Sequence, residues 1–180
     1  MKFSNTEIEG CFTIEVEKKT DARGFFARTW DREIFKKQNL NENLSQCSIS
    51  FNNKKGTIRG MHFQIHPYGE TKLVRCTRGS IFDVIIDLRT NSKTYKKWIS
   101  IELSEENYKM TYMPEGVAHG FQTLENNTEV FYQMTQFYMP EFARGIRWND
   151  SQFGITWPIK SPILSEKDSK YADFNERYLI

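Results

Sequence analysis

The stretch Gly56-Thr57-Ile58-Arg59-Gly60-Met61-His62-Phe63-Gln64 sets a guanidinium, an imidazole and an amide along one expected strand. A guanidinium offers fixed, permanently charged donors and an imidazole exchanges protons near neutral pH, so the pair suits binding an anionic carbonyl compound and deprotonating it. The same pair also occurs as an ordinary structural hydrogen bond, and context has to separate the two. Regular alternation puts His62 and Gln64 on one face and Arg59, Met61 and Phe63 on the other. If both groups serve one site, something must re-aim one of them. Gly60 is where a bulge or kink would do so.

Other candidates are scattered. Lys72 shares a strand face with Val74 and Cys76, so its ammonium either snorkels at a rim or is buried for a reason. His119 follows a turn and shares a face with Phe121, where an imidazole reaches a barrel mouth or sits as a satisfied half-buried residue. Tyr132 falls on the apolar alternation with Val130 and Met134, so its hydroxyl needs an interior partner. Asp168 lies in Ser165-Glu166-Lys167-Asp168, a capping-box spacing that by itself accounts for both serine and aspartate. Asp83 and Asp87 are rival partners for His62. His62, His66 and His119 raise the question of a metal, but His62 and His66 are four apart across the turn at Pro67 and no carboxylate follows closely, so no metal is expected.

These groups need a scaffold, and the pattern around them is β. In Ser80 to Arg89 the residues Phe82, Val84, Ile86 and Leu88 share one face, and Ile81, Asp83, Ile85 and Asp87 a half-polar other. Lys97 to Leu103 repeats the period with Ile99, Ile101 and Leu103 inward. Further strands are predicted at Phe12 to Val16, after the turn in Thr20 to Arg28, at Ser45 to Phe51, across the His62 stretch, at Lys72 to Thr77, Tyr108 to Met113, Val117 to Leu124 and Glu129 to Phe137. Asp31 caps a short helix over about Arg32 to Gln38. Strands at this spacing, read as a meander with little helix, argue for an antiparallel sandwich or barrel. An irregular tail follows from Asp150, ending in a weak helix near Ser165 to Tyr171. The 180 residues suit one domain, with the β body over about 10–150 and the tail 151–180 packed on it.

Composition excludes several roles. Charged residues are 27% but the net charge is only +2 and the signs are interspersed, so no basic stripe for nucleic acid is present. Cys11, Cys47 and Cys76 are odd in number and widely spaced, which suits reduced cytosolic thiols. No apolar run approaches a membrane span, and the expected location is the cytoplasm.

The chain resembles the dTDP-4-dehydrorhamnose 3,5-epimerase family. Similar segments run in order from Asp21-Ala22-Arg23-Gly24-Phe25-Phe26 through the His62 stretch, Lys72-Leu73-Val74-Arg75-Cys76, Arg78-Gly79-Ser80-Ile81-Phe82-Asp83-Val84 and Asp87-Leu88-Arg89. They continue in Pro114-Glu115-Gly116-Val117-Ala118-His119-Gly120-Phe121, Arg144-Gly145-Ile146-Arg147-Trp148-Asn149-Asp150 and Leu164-Ser165-Glu166-Lys167-Asp168. The resemblance implies a cupin-type jelly roll that works without metal or cofactor. It implies inversion at C3 and C5 of a nucleotide-diphospho-4-keto-6-deoxyhexose, with His62 as base, Asp168 orienting it, Lys72 on the enolate oxygen and Tyr132 as the acid on the opposite ring face. By the same resemblance Arg59 and His119 hold diphosphate or sugar, and Gln46 and Ser48 contact the substrate. Arg23 and Phe26 cross to the other subunit of a homodimer, and Tyr138 stacks on the base.

The chain departs from the family pattern at Ser48, where many relatives have asparagine, at Arg28, where many have glutamate, and at Glu70-Thr71, in place of a glutamine-containing pair. Base and sugar identity are therefore left open. The alternatives are a single-position epimerase, a 3,4-ketoisomerase, a metal-dependent cupin oxygenase and a non-catalytic sugar-nucleotide binder.

Overall fold

The alternating segments form two facing antiparallel sheets. The computed structural model describes residues 1–179 and every side chain among them except that of residue 178. In chain order the strands are β1 (Lys2–Asn5), β2 (Phe12–Glu15), β3 (Lys19–Asp21), β4 (Gly24–Phe26), β5 (Gln46–Asn52), β6 (Ile58–Gln64) and β7 (Lys72–Arg78). They continue with β8 (Ser80–Asp87), β9 (Trp98–Ser104), β10 (Met110–Met113), β11 (Val117–Thr123), β12 (Thr128–Met134) and β13 (Ala143–Gly145). Helix α1 (Arg32–Lys37) follows β4, α2 (Glu166–Ser169) lies in the tail, and a 3-10 turn spans Glu176–Leu179.

One sheet runs β1-β2-β10-β7-β12-β5, the other β13-β6-β11-β8-β9, and β3-β4 is a separate hairpin. From β5 onward the chain mostly crosses from sheet to sheet at each strand, which is the jelly-roll pattern. The meander reading is corrected here: most sheet neighbours are distant in sequence, because local alternation marks a strand but carries no information about its partner. The short strands β1 and β13 were not expected either, and β1 extends the sheets ahead of residue 10.

Burial explains the half-polar face. Ile81 and Ile85 pack between the sheets with Val74, Cys76, Leu103, Phe121 and Val130, and Asp83 and Asp87 share that interior face, fully buried. Val84, Ile86 and Leu88 pack on the back of the five-stranded sheet under the tail residues Phe153, Trp157 and Phe174. Asp87 is held by Arg89, Ser92 and Thr94. The back of the other sheet is covered by α1, whose Phe35 packs with Leu73, Met110 and Tyr112, and whose Asp31 caps the Ile34 N–H at 3.2 Å. Burial pushes the Cys11 and Cys76 thiols up to about 12, so neither is a reactive thiolate.

Gly60 decides how β6 presents its side chains. His119 on β11 pairs with His62, and Phe121 with Arg59, so two steps on β11 face three on β6. The extra residue is a bulge, and it puts Arg59 and His62 on one face. Gly60 has φ 132° and is joined to Met61 by a cis peptide bond. A Cβ at Gly60 would lie 2.5 Å from Gly120 Cα and 2.9 Å from the His119 carbonyl oxygen. With backbone on the other side, nothing can give way. Gly60→Ala is expected to lower the unfolding free energy by about 3 kcal/mol or more, read as a shift of the urea midpoint at constant slope.

Candidate functional site

A cavity of about 420 Å³ opens between the sheets. That is the size of a small-molecule site. The five-stranded sheet contributes Arg59, His62 and His119 to its lining, and the six-stranded sheet contributes Gln46, Ser48, Lys72 and Tyr132. Tyr138, Arg144, Lys167 and Asp168 complete the mouth and rear wall.

His62 meets a residue from the far end of the chain. Its Nε2 lies 2.7 Å from Asp168 Oδ1, and the carboxylate is almost wholly shielded while the imidazole stays partly open to the cavity. The link exists because Ser165 caps α2, accepting the Asp168 N–H at 3.0 Å, which aims the aspartate back at β6. Capping and pairing with His62 thus hold together. Burial would push the Asp168 carboxyl up. The His62 hydrogen bond and charge, the Gly60 N–H and the Ser165 hydroxyl outweigh it and hold the group below the usual carboxylate range. Tyr171, also from the tail, packs edge-on to the His62 ring at 5.8 Å between centroids.

The rivalry among aspartates is resolved against the two on β8. Asp83 pairs instead with His119, Oδ1 to Nε2 at 2.6 Å, both buried, and Asp87 serves Arg89. Among the described residues Asp83 Oδ2 has no hydrogen-bond partner. Lys72 points inward: its ammonium pairs with Glu70 at 2.9 Å and donates to the His62 carbonyl at 3.4 Å. Arg59 stands at the mouth, its Nε donating to Asn52 Oδ1 at 2.7 Å. Burial pushes the Tyr132 phenol well above its ordinary value, with the Asp83 charge adding to the shift. Tyr132 therefore holds its proton.

Gln64 is buried and pins the chain at the mouth, accepting the Met139 N–H and donating to the Tyr68 and Phe137 carbonyls. Beside it, Gln46 accepts the Tyr138 N–H, leaving the Tyr138 ring exposed over the opening. Arg23 and Phe26 lie elsewhere, on the β3-β4 hairpin, and do not line this cavity in their own chain. His66 is exposed and borders a separate cavity. Among the described residues no group of three or more His, Cys, Asp or Glu side chains is placed to hold a metal ion, and no helix is long and apolar enough to cross a membrane.

Residue-by-residue reading missed Glu70, Arg144, Lys167 and Tyr171 as lining groups. Lys167 adjoins Asp168 and had a usable signal. The others depend on the path of the tail and of two turns.

Residues 5–176 match the family model described as dTDP-4-dehydrorhamnose 3,5-epimerase. The chain belongs to that family. It is 43% identical to the dTDP-4-dehydrorhamnose 3,5-epimerase of Sinorhizobium fredii, over 98% of this chain and 91% of the relative. Its fold is similar to the Bacillus anthracis enzyme of that name, solved with TDP and PPi bound, at TM-score 0.93 and 36% identity, covering 96% of this chain and 99% of that one. It is also similar to the Legionella pneumophila epimerase in complex with dTDP-4-keto-L-rhamnose, at TM-score 0.90 and 32% identity, covering 96% and 92% of the two chains. The jelly roll is thus the fold of this family of isomerases.

Because the folded value of Asp168 is lowered, its stabilising contribution is complete above about pH 4 and is lost as pH falls through that lower value. Asp168→Asn is expected to be less stable than wild type by about 1–3 kcal/mol at pH 7. Urea denaturation across pH should show the gap closing below about pH 4.

Proposed function

We propose that this chain is a cofactor-independent epimerase that inverts C3 and C5 of a nucleotide-diphospho-4-keto-6-deoxyhexose, of the dTDP-4-dehydro-6-deoxyglucose type. The observation that carries this reading is the division of the cavity: an imidazole backed by a carboxylate on one sheet, and a proton-holding phenol with an ammonium on the other. A sugar ring wedged between the sheets meets a base on one face and an acid on the other, which is what inversion requires.

The C4 carbonyl acidifies the hydrogens on C3 and C5. His62 removes one, and the electron pair moves into the ring bond and onto the carbonyl oxygen as an enolate. Asp168, ionised, holds the imidazole ring in place and balances the imidazolium that forms. Lys72 stabilises the enolate oxygen, an effect that is strong where water is excluded. Tyr132 then delivers a proton to the carbon from the opposite face, and the carbonyl reforms. Proton removal and return balance without a redox partner, so the chemistry needs no redox cofactor.

Arg59 and His119 hold the diphosphate or sugar, and the cationic rim of Arg144 and Lys167 favours the same anion. Gln46 and Ser48 contact sugar or nucleotide, and Tyr138 stacks on the base. Arg23 and Phe26 serve the cavity of a second copy in a homodimer. This reading is supported by the apolar surface left open: Phe26 is 65% exposed on its hairpin, and Ile49 is 62% exposed on the edge strand β5 beside the cavity. Three unpaired cysteines suit the cytoplasm.

In deuterated buffer the purified protein is expected to exchange hydrogens at C3 and C5 of a dTDP-4-keto-6-deoxyglucose, with His62→Ala slower by about 10²–10⁴-fold. Intact, folded protein that exchanges neither position would sink the reading. Label at one carbon only would make it a single-position enzyme. Light scattering should give twice the chain mass, and Arg23→Ala should raise KM with little change in kcat. A monomer with wild-type KM in that variant contradicts the crossing hairpin.

A further inference from the structure

Glu70 is the carboxylate of this cavity that no imidazole claims. Its partner is Lys72, at 2.9 Å, and both side chains are only 12% exposed. Glu70 lies in the turn just ahead of β7, and it lines the cavity together with Lys72 at the start of that strand. The residue between them is locked: the Thr71 N–H donates to Thr135 Oγ1 at 3.0 Å, and the Thr135 N–H donates to the Thr71 carbonyl at 3.1 Å. Glu70 therefore projects from an anchored backbone, unlike a carboxylate on a free loop.

An ammonium has three N–H donors. On Lys72 the Glu70 carboxylate lies 2.9 Å away as an ion pair, and one donor is directed, weakly, to the His62 carbonyl at 3.4 Å, so a donor is free for a ligand oxygen. A four-carbon stem has many rotamers, and a single contact at 3.4 Å does not select among them. The ion pair with the shielded Glu70 carboxylate does.

We infer that Glu70 is a positioning residue for the enolate-stabilising ammonium: it holds Lys72 so that its remaining N–H meets the substrate carbonyl next to the proton taken by His62. This rests on the epimerase reading above and deepens it. The role is to hold the ammonium, since the carboxylate's charge lies beside a developing oxyanion and gives that anion no help.

Solvent-exchange kinetics on dTDP-4-keto-6-deoxyglucose test it with three variants. Glu70→Ala, and Glu70→Asp, which withdraws the carboxylate by one carbon, are expected to lose about tenfold or more in kcat with KM within about twofold of wild type, as for a misplaced group that acts in the transition state. Glu70→Gln, which keeps an acceptor in place, should stay within about threefold of wild-type kcat. Wild-type kcat in the Ala or Asp variant, a Gln variant as slow as Asp, or a loss shared between kcat and KM would each overturn the role of Glu70 alone. Wild-type protein that exchanges nothing would overturn the reaction, and the inference with it.

Discussion

The passage of Gly60 against Gly120 is a backbone-to-backbone approach that side chains could not tolerate. A Cβ on either glycine would meet the other strand's backbone below 3.0 Å. Because the two strands run this close, β6 can carry one extra residue against β11 without leaving the sheet. That extra residue turns Arg59 inward beside His62. On an unbulged strand the imidazole would keep its place and the guanidinium would face away from the cavity. The anion contact and the base are thus joined by a constraint of backbone geometry, set by two residues without side chains.

Charge is arranged by the same logic of close pairing. Four carboxylates at the cavity or beneath it are each committed to a cation or an imidazole: Asp168 to His62, Asp83 to His119, Glu70 to Lys72, Asp87 to Arg89. Buried charges without partners would be costly, and pairing fixes the geometry of each functional group as well. Arg59, Arg144 and Lys167 are left toward the mouth, where an anionic substrate enters. The tail is essential to this arrangement. Its Phe153, Trp157 and Phe174 are fastened to the back of the five-stranded sheet, and that anchorage carries Ser165, Lys167 and Asp168 round to the cavity.

Much of this was legible in the sequence. Period two located the strands around His62, Ser80 to Arg89 and Lys97 to Leu103, and Asp31 and Ser165 announced the helix caps. The mismatch between Arg59 and His62 on a regular strand, with a glycine between them, pointed to the bulge. What was not legible depends on pairing at long range. The sheet order could not be read because alternation is the same whichever strand lies alongside. The choice of Asp168 over Asp83 and Asp87 for His62 rests on a contact 106 residues apart, and from residue types alone the three were rivals. The family resemblance favoured Asp168. The polar half of β8 is interior, where Asp83 and Asp87 find partners from β11 and the following loop. Glu70, Arg144 and Tyr171 join the site through the folding of turns and tail.

The central claim is that base and acid act from opposite sheets on opposite faces of one ring. It is tested most directly by following label and configuration together in Tyr132→Phe. With the phenol removed, His62 still takes the proton and returns a solvent-derived one from its own side. The account predicts deuterium entering the ring carbons of the 4-keto sugar while their configuration is retained, seen by NMR of the recovered nucleotide sugar. Inversion at the wild-type rate in this variant, or loss of exchange as complete as in His62→Ala, would contradict it.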